Sequence, residues 1–393
     1  ALTFPLMNLA AAFGSLVGVG ASTLVAVKLG QKDYEGANKV LGNVLILNVV
    51  LGVAFTIAFL FLLDPVLYFF GASENTISYA RDYMRIILYG NVVTHMYLGL
   101  NAVLRSSGFP KMAMYATLAS VVINCALNPL FIFGFGWGIK GSAWATVISQ
   151  VISLTGQLIH FSRPKQLLHF KKGIYRLRSE IVKGILSIGL SPFLMNLCSC
   201  LIVILINRGL KEHGGDMAIG AYGIVNRIAF LFVMIIMGFN QGMQPIAGYN
   251  YGARLYSRVT DVTRLTMRWA VGVATLGFLL CQLVPSWIVR MFTSDGELIS
   301  AASYGLHIVF AVFPIVGFQM VATNFFFSIG MSKKAIFLSL TRQMLFLIPC
   351  LILLPPLFGT LGVWISMPIA DTVAAIVTAI VLVKQFKQFK YGT

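Results

Sequence analysis

Three ionisable side chains lie well inside long apolar stretches of this 393-residue chain: His95, Arg227 and Asp371. Ionisable groups inside apolar spans are costly and usually serve a function. Asp371 follows Pro368 in the stretch WISMPIADTVAAIV, where desolvation favours the neutral acid and so allows a proton to be loaded and released. We predict that Asp371 is a coupling-ion residue facing a central cavity. The alternative is a counter-ion that only fixes helix packing.

Two glutamines follow Arg227 in the same apolar stretch. Gln241 lies fourteen residues after Arg227, about four helical turns on, and therefore on a similar face. Together with Gln244 it belongs to the polar segment GFNQGMQP. We predict that these residues line a water-filled cavity, with hydrogen bonding between helices as the alternative. Arg227 is interpreted either as a buried partner of Asp371 or as a side chain that snorkels to the surface.

Two asparagines earlier in the chain share a helical face. Asn124 and Asn128 are four residues apart, and Pro129 frees a backbone carbonyl nearby. Two amides and a free carbonyl suit cation coordination or a hydrogen-bond relay, or they join two helices. His95 can titrate near neutral pH and is a further cavity candidate, against a packing role.

The sequence lacks the motifs that are typical of enzymes and metal sites. The five cysteines sit inside apolar stretches, without the spacing of a metal site. No HExxH, GxSxG or phosphate-binding loop is present, and the GxGxxG of Gly136, Gly138 and Gly141 follows no soluble strand. We expect no metal, no cofactor, no nucleic-acid partner and no enzymatic activity.

The elements that must position these residues are membrane-spanning helices. Hydrophobic residues make up 58% of the chain and charged residues only 10%, and each span needs about 20 apolar residues. We predict eleven spans, near 4–27, 43–63, 83–104, 112–134, 138–160, 184–207, 218–246, 266–288, 300–328, 335–355 and 360–383. The polar, basic stretch 161–183 is the predicted linker between an N-terminal bundle, 1–160, and a C-terminal bundle, 184–393.

The net charge is +17, and the basic residues responsible for it lie mainly in the connections between spans. Most of the 29 lysines and arginines fall on alternate connections, with Lys333, Lys334 and Arg342 grouped there, and such connections face the cytoplasm. The linker and the C-terminus are therefore predicted to be cytoplasmic. The sequence opens inside an apolar run, and an outside start with an odd number of spans predicts that a first helix is missing.

A repeat at one offset relates the two bundles. Gly30 and Tyr34 match Gly252 and Tyr256 at 222 residues, as Gly108 and Lys111 match Gly330 and Lys333. The pair Gly138 and Gly141 matches Gly359 and Gly362 at 221. Six spans per repeat would give two pseudo-symmetric bundles of equal orientation, the parallel repeat of many transporters. An inert scaffold and a channel are the alternatives, and no filter-like repeat favours a channel.

Two segments resemble the multidrug and toxic compound extrusion (MATE) family. The stretch VLRSSGFPKMAMYATLASVVINCALNPLFIFGFGWGIKGSAWATVISQ is similar to the segment over that family's helices four to six, in its bacterial DinF-like branch. The stretch GAYGIVNRIAFLFVMIIMGFNQGMQPIAGYNYGAR resembles its eighth helix and following loop. The resemblance implies an all-α membrane fold of twelve helices in two bundles, of which this chain holds eleven.

The resemblance also implies coupling residues. Family members often carry Asn-x-x-x-Asp-Pro in the fifth helix, working with an aspartate of the first. Asn124 matches that asparagine, whereas Asn128 replaces the aspartate. Another branch uses acids in helices seven and ten, and the spans 184–207 and 300–328 contain none. Coupling through this chain therefore rests on Asp371, unless the missing first helix supplies it.

These observations favour a secondary-active exporter of amphipathic, often cationic, organic compounds in exchange for H+ or Na+. We expect a monomer in the bacterial plasma (inner) membrane, with a small organic substrate and membrane lipids as its partners. The alternative is a flippase for lipid-linked or anionic lipid substrates on a related fold. Such a flippase should line its cavity with several basic residues.

Overall fold

The computed structural model describes residues 3–69 and 74–391. Within these ranges the chain is helical and contains no strand. The helices are α1 (Phe4–Gly30), α2 (Tyr34–Phe61), α3 (Leu63–Phe69), α4 (Glu74–Tyr89), α5 (Asn91–Ser106), α6 (Pro110–Pro129), α7 (Gly138–Ser162), α8 (Ser179–Gly252), α9 (Tyr256–Leu283), α10 (Pro285–Arg290), α11 (Gly296–Phe310), α12 (Phe313–Ser328), α13 (Ser332–Leu340), α14 (Ile348–Leu353), α15 (Pro355–Phe358) and α16 (Thr360–Tyr391). Two π-helical segments, Leu130–Gly134 and Thr341–Leu347, follow α6 and α13.

Each predicted span falls on one of these helices or on consecutive helical segments, the span 335–355 covering α13, a π-helical segment, α14 and the start of α15. By length and hydropathy, seven helical segments of the described chain can each cross a membrane, and nine if two bent pairs each form one span. The 74-residue α8 is one of the seven and covers two predicted spans, because it is broken at Gly215, whose φ is +65°. The predicted all-α membrane fold is confirmed.

The chain divides into two compact units, Ala1–Asn196 and Leu197–Thr393, so that the boundary lies inside α8. In the first unit, α1 packs closely against the beginning of α8. A Cβ added to Gly189 would lie 1.8 Å from the carbonyl oxygen of Leu16, so only glycine permits this approach. The core of the unit is aliphatic, and Phe161 lies in it fully buried.

The predicted linker is packed against α2 rather than extended in solvent. Buried Asn38 donates to the carbonyl of Leu167 (3.2 Å) and accepts from the amide of His169 (3.0 Å). Buried Asn43 likewise donates to the carbonyl of Arg176 (3.2 Å) and accepts from the amide of Arg178 (3.0 Å). We call these two residues the asparagine clamp, because they satisfy linker backbone groups that no regular helix satisfies.

In the second unit, α12 packs against α9 and α16. A Cβ on Gly317 would lie 2.8 Å from the carbonyl oxygen of Ala270, which shows how closely α12 approaches α9. Buried aromatic side chains, including stacked Phe310 and Phe313 at 4.3 Å between ring centroids, fill the core.

Turn geometry repeats at the predicted offset. Lys32 and Arg254, 222 residues apart, are the two non-glycine residues with positive φ in the described chain, at 60° and 59°. Two of the four glycine pairs of the sequence repeat also share positive φ: Gly108 with Gly330 (93° and 79°) and Gly138 with Gly359 (55° and 60°). The bent pairs α4–α5 and α11–α12 both bend by 52°. The two units are therefore built from the same succession of turns and bends.

Candidate ion-coupling site

Asp371 forms a buried ion pair in the second unit. Its side chain is only 6% exposed and accepts a charge-assisted hydrogen bond from Nε of Arg342, whose side chain is 33% exposed. The pair joins the π-helical segment Thr341–Leu347 to α16. It compensates a negative charge that would otherwise stand alone in an apolar environment. The contact is thus of the kind given above as the alternative for Asp371, a counter-ion pair between helices, and the carboxylate is not exposed to a cavity.

Arg342 lies in a π-helical turn that ends shortly before Pro349. Pro349 lies just beyond the segment and has no amide hydrogen to offer the carbonyl of Leu345, four residues earlier. A π-helical turn absorbs such a break by widening the helix, and widening rotates the side chains before the proline. Neighbouring Gln343 is buried, donates to Oγ of Ser199 at 3.3 Å, and leaves its Oε1 without a partner among the described residues.

The structure corrects one expectation about charge, for Arg342, and decides between the two alternatives for Arg227. Arg342 was grouped with the basic cytoplasmic connections, but it lies in the helical segment Ser332–Phe358, itself long and apolar enough to cross a membrane. The signal was present in the sequence, because Arg342 falls inside the predicted span 335–355. Arg227 is exposed on α8, so it is not the buried partner of Asp371.

Asn124 and Asn128 lie together on α6, as their spacing predicts. Nδ2 of Asn128 donates to Oδ1 of Asn124 at 2.8 Å, and Nδ2 of Asn124 donates to Oγ1 of Thr146 on α7 at 3.2 Å. Thr146 in turn donates to the carbonyl of Ser142 at 3.1 Å. Because each of these side chains already donates within this chain of hydrogen bonds, the arrangement is a relay that also joins α6 to α7. Pro129 lies at the end of α6, where the π-helical segment Leu130–Gly134 begins.

His95 is completely buried on α5. Its Nε2 lies 2.9 Å from the carbonyl oxygen of Ala10 on α1, so Nε2 carries the proton. Nδ1 has no partner among the described residues. His95 therefore joins α1 to α5 and keeps one unused acceptor in the core of the first unit.

Further buried amides were not singled out by the sequence. Asn48 on α2 and Gln157 on α7 each have both amide atoms buried without a partner in the described chain. On α5 and α7, Thr94 donates to Gln150 at 2.6 Å, and Gln157 lies two helical turns after Gln150. Amides at these positions look like ordinary interruptions of apolar helices, so only their burial distinguishes them.

The polar residues of α8 separate in the structure. Gln241 is exposed, whereas Gln244 is buried. Arg227 and Gln241 stand on an exposed face of α8 that also presents Phe230, Met234 and Met237. We call these five residues the α8 face. It combines adaptable apolar side chains with one cation and one amide.

A metal site is not formed by the described residues, among which no group of three or more His, Cys, Asp or Glu side chains comes together.

Comparison with known proteins identifies the class of this membrane protein. Residues 1–130 and 188–353 match the family described as MatE. The multidrug export protein MepA of Staphylococcus haemolyticus is 29% identical over 378 residues, 95% of this chain and 82% of that protein.

Solved structures show the same fold. The MATE multidrug transporter DinF-BH, solved in complex with a ligand, is 36% identical with a TM-score of 0.89, over 98% of this chain and 86% of that one. A MATE crystal structure in a bent conformation is 25% identical with a TM-score of 0.94, over 100% and 87%. The chain belongs to the MatE family, the multidrug and toxic compound extrusion transporters. It is a multi-pass membrane transporter and not an enzyme.

Proposed function

We propose that this transporter exports amphipathic organic cations in exchange for inward-moving protons. The similarity to a multidrug export protein and to a multidrug transporter solved with a bound ligand supports this substrate class. The α8 face supports it as well, because methionine and phenylalanine adapt to varied apolar substrates. The α8 face holds a single basic group, Arg227, whereas a surface selective for anions should carry several.

The observation that carries the proposed coupling is the buried Arg342–Asp371 pair. A proton that neutralises Asp371 removes the charge that holds Arg342, so the π-helical segment is no longer tied to α16 by an ion pair. Loss of the proton restores the pair. Asp371 thus acts as the proton-binding group, and Arg342 is the cation that pairs with its charged form.

The polar relay of Asn124, Asn128 and Thr146 is the second coupling candidate. It lies in the first unit and offers uncharged oxygen atoms. Such oxygens can coordinate a hard cation such as Na+, whereas proton coupling needs a titratable group. A sodium gradient is therefore tested beside the proton gradient.

The distribution of basic residues supports placement in the bacterial plasma membrane with a cytoplasmic C-terminus. We further propose that the chain acts as a monomer.

Export of ethidium by the full chain in proteoliposomes tests the coupling. The wild type should export ethidium under an inward proton gradient, and Asp371→Asn should lose at least tenfold of that rate. Asp295→Asn is the matched control, because Asp295 is an exposed helix-capping carboxylate. It should export at the wild-type rate.

Two results would contradict the proposal. Asp371→Asn exporting ethidium at the wild-type rate would remove Asp371 from coupling. Wild-type export driven by a sodium gradient but not by a proton gradient would replace H+ with Na+.

A further inference from the structure

A cavity of about 520 Å³ opens at the end of the second unit where α9 begins and α16 ends. Its polar lining consists of Ser257, Thr260, Asp261, Arg264 and Lys390. Tyr256, Phe386 and Phe389 form its aromatic wall. The export chemistry proposed above uses none of these residues.

The aromatic wall is well packed and positions one of the cations. Tyr256 and Phe389 stack with ring centroids 4.8 Å apart and planes inclined by 11°. The guanidinium carbon of Arg264 lies 5.9 Å from the ring centroid of Phe386, a cation–π contact. Arg264 is exposed but held against the wall, so its guanidinium edge is available to an anion.

The cavity lies at the level where the surface changes from apolar to charged. On α16, exposed Ile380 and Val383 are followed directly by exposed Lys384. On α9, exposed Leu265 and Trp269 come soon after the cavity residue Arg264. An exposed apolar surface bounded by tryptophan and basic residues marks the headgroup region of a bilayer.

We propose that this cavity binds the headgroup of an anionic phospholipid. Arg264 and Lys390 bind the phosphate diester, and basic pockets between spanning helices on the cytoplasmic side are suited to such headgroups. Asp261 accepts hydrogen bonds from headgroup hydroxyls, which phosphatidylglycerol has and phosphatidylcholine lacks. The acyl chains follow the exposed apolar surface of α9 and α16.

Lipid binding to the purified full chain in detergent tests this site by native mass spectrometry. Dioleoylphosphatidylglycerol should bind in preference to dioleoylphosphatidylcholine. The double variant Arg264→Gln/Lys390→Gln should bind phosphatidylglycerol roughly 30-fold more weakly, since each basic residue near the headgroups contributes about fivefold. Arg264→Lys, which keeps the charge, should retain most of the binding.

The matched control is Arg258→Gln/Lys387→Gln. It removes one arginine from α9 and one lysine from α16, both outside the cavity lining. It should bind phosphatidylglycerol within about twofold of the wild type, because neither side chain lines the cavity and so neither contacts the bound phosphate. The general surface charge falls equally in both double variants, so a difference between them reports the cavity contacts.

Three outcomes would overturn the proposal. Equal binding by the cavity and control variants would show attraction to the basic surface as a whole. Equal binding of phosphatidylglycerol and phosphatidylcholine would show contact with acyl chains alone. Binding of inorganic phosphate as tight as that of the lipid, with displacement of the lipid, would make free phosphate the ligand.

Discussion

At the scale of single residues, the Arg342–Asp371 pair contains the least exposed carboxylate among the ion pairs of the described chain. An ion pair in the interior contributes little net stability compared with apolar residues, but removing one partner leaves an uncompensated charge. The same property suits a switch, because a proton on Asp371 has the effect of removing one partner. A structural role and a coupling role therefore predict different results when both Arg342 and Asp371 are replaced by neutral residues. Stability should recover in either case, but transport should recover only if the role is structural.

Neutralising both partners should restore stability without restoring transport. We expect Asp371→Asn or Arg342→Gln alone to cost about 1–3 kcal/mol, below the value for a fully buried pair because Arg342 is one-third exposed. The double variant should cost less than either single variant, and thermal unfolding in detergent measures the difference. Recovery of ethidium export along with stability would assign the pair a purely structural role.

Asp33 provides a second test at this scale, at the start of α2. A hydrogen bond from Lys28 (2.8 Å) and one from the Gly36 amide (2.8 Å) hold the pKa of Asp33 below its ordinary value. Because the pKa is lowered in the folded protein, this stabilisation is present above about pH 4 and is lost as the pH falls through the folded value.

We expect Asp33→Ala to lower the free energy of unfolding by about 1 kcal/mol at neutral pH, through loss of the helix cap. Asp33→Asn should cost less, because it keeps the cap and loses only a partly exposed ion pair. The difference in thermal stability between the wild type and Asp33→Asn should shrink as the pH is lowered from 7 to 3. A difference that persists unchanged at pH 3 would contradict this assignment.

At the scale of elements, the helices were predictable and their contacts were not. Apolar runs are local, so the predicted spans coincide with helices, and Pro129 marks the end of α6. The Arg342–Asp371 pair joins a π-helical segment to α16, a contact that no spacing in the sequence reveals. The asparagine clamp depends on the linker folding back on α2, a contact between segments more than a hundred residues apart.

The clamp predicts that the linker is protected from proteolysis. In Asn38→Ala/Asn43→Ala, linker backbone groups lose buried partners, at a cost of about 1–3 kcal/mol each. We expect trypsin to cut the linker, at the exposed residues Lys171, Lys172 and Arg176, about tenfold faster than in the wild type. Gel analysis of a digestion time course measures the rate.

Asn226→Ala, at an exposed asparagine of α8, is the control and should leave linker cleavage unchanged. If the clamp variant and the wild type are cut at the same rate, the linker is held by its buried apolar residues Leu168 and Ile174 instead.

At the scale of the whole molecule, the repeat is the feature that sequence and structure share most closely. The offset seen in the glycines reappears in the positive φ of Lys32 and Arg254 and in two equal bends. Asp371 departs from this repeat, because its counterpart at 221 residues is Gln150, which accepts from Thr94 rather than forming an ion pair. A charge present in only one of two similar units favours a functional site over a packing device shared by both units.

The most direct test follows proton movement rather than substrate movement. Proteoliposomes holding the full chain, loaded with ethidium and a pH-sensitive dye, are diluted into ethidium-free buffer of equal pH. The wild type should acidify the lumen as ethidium leaves, while Asp371→Asn and Arg342→Gln/Asp371→Asn should give no acidification above protein-free vesicles. Ethidium efflux without acidification in the wild type, or acidification by Asp371→Asn at the wild-type rate, would contradict proton coupling through Asp371.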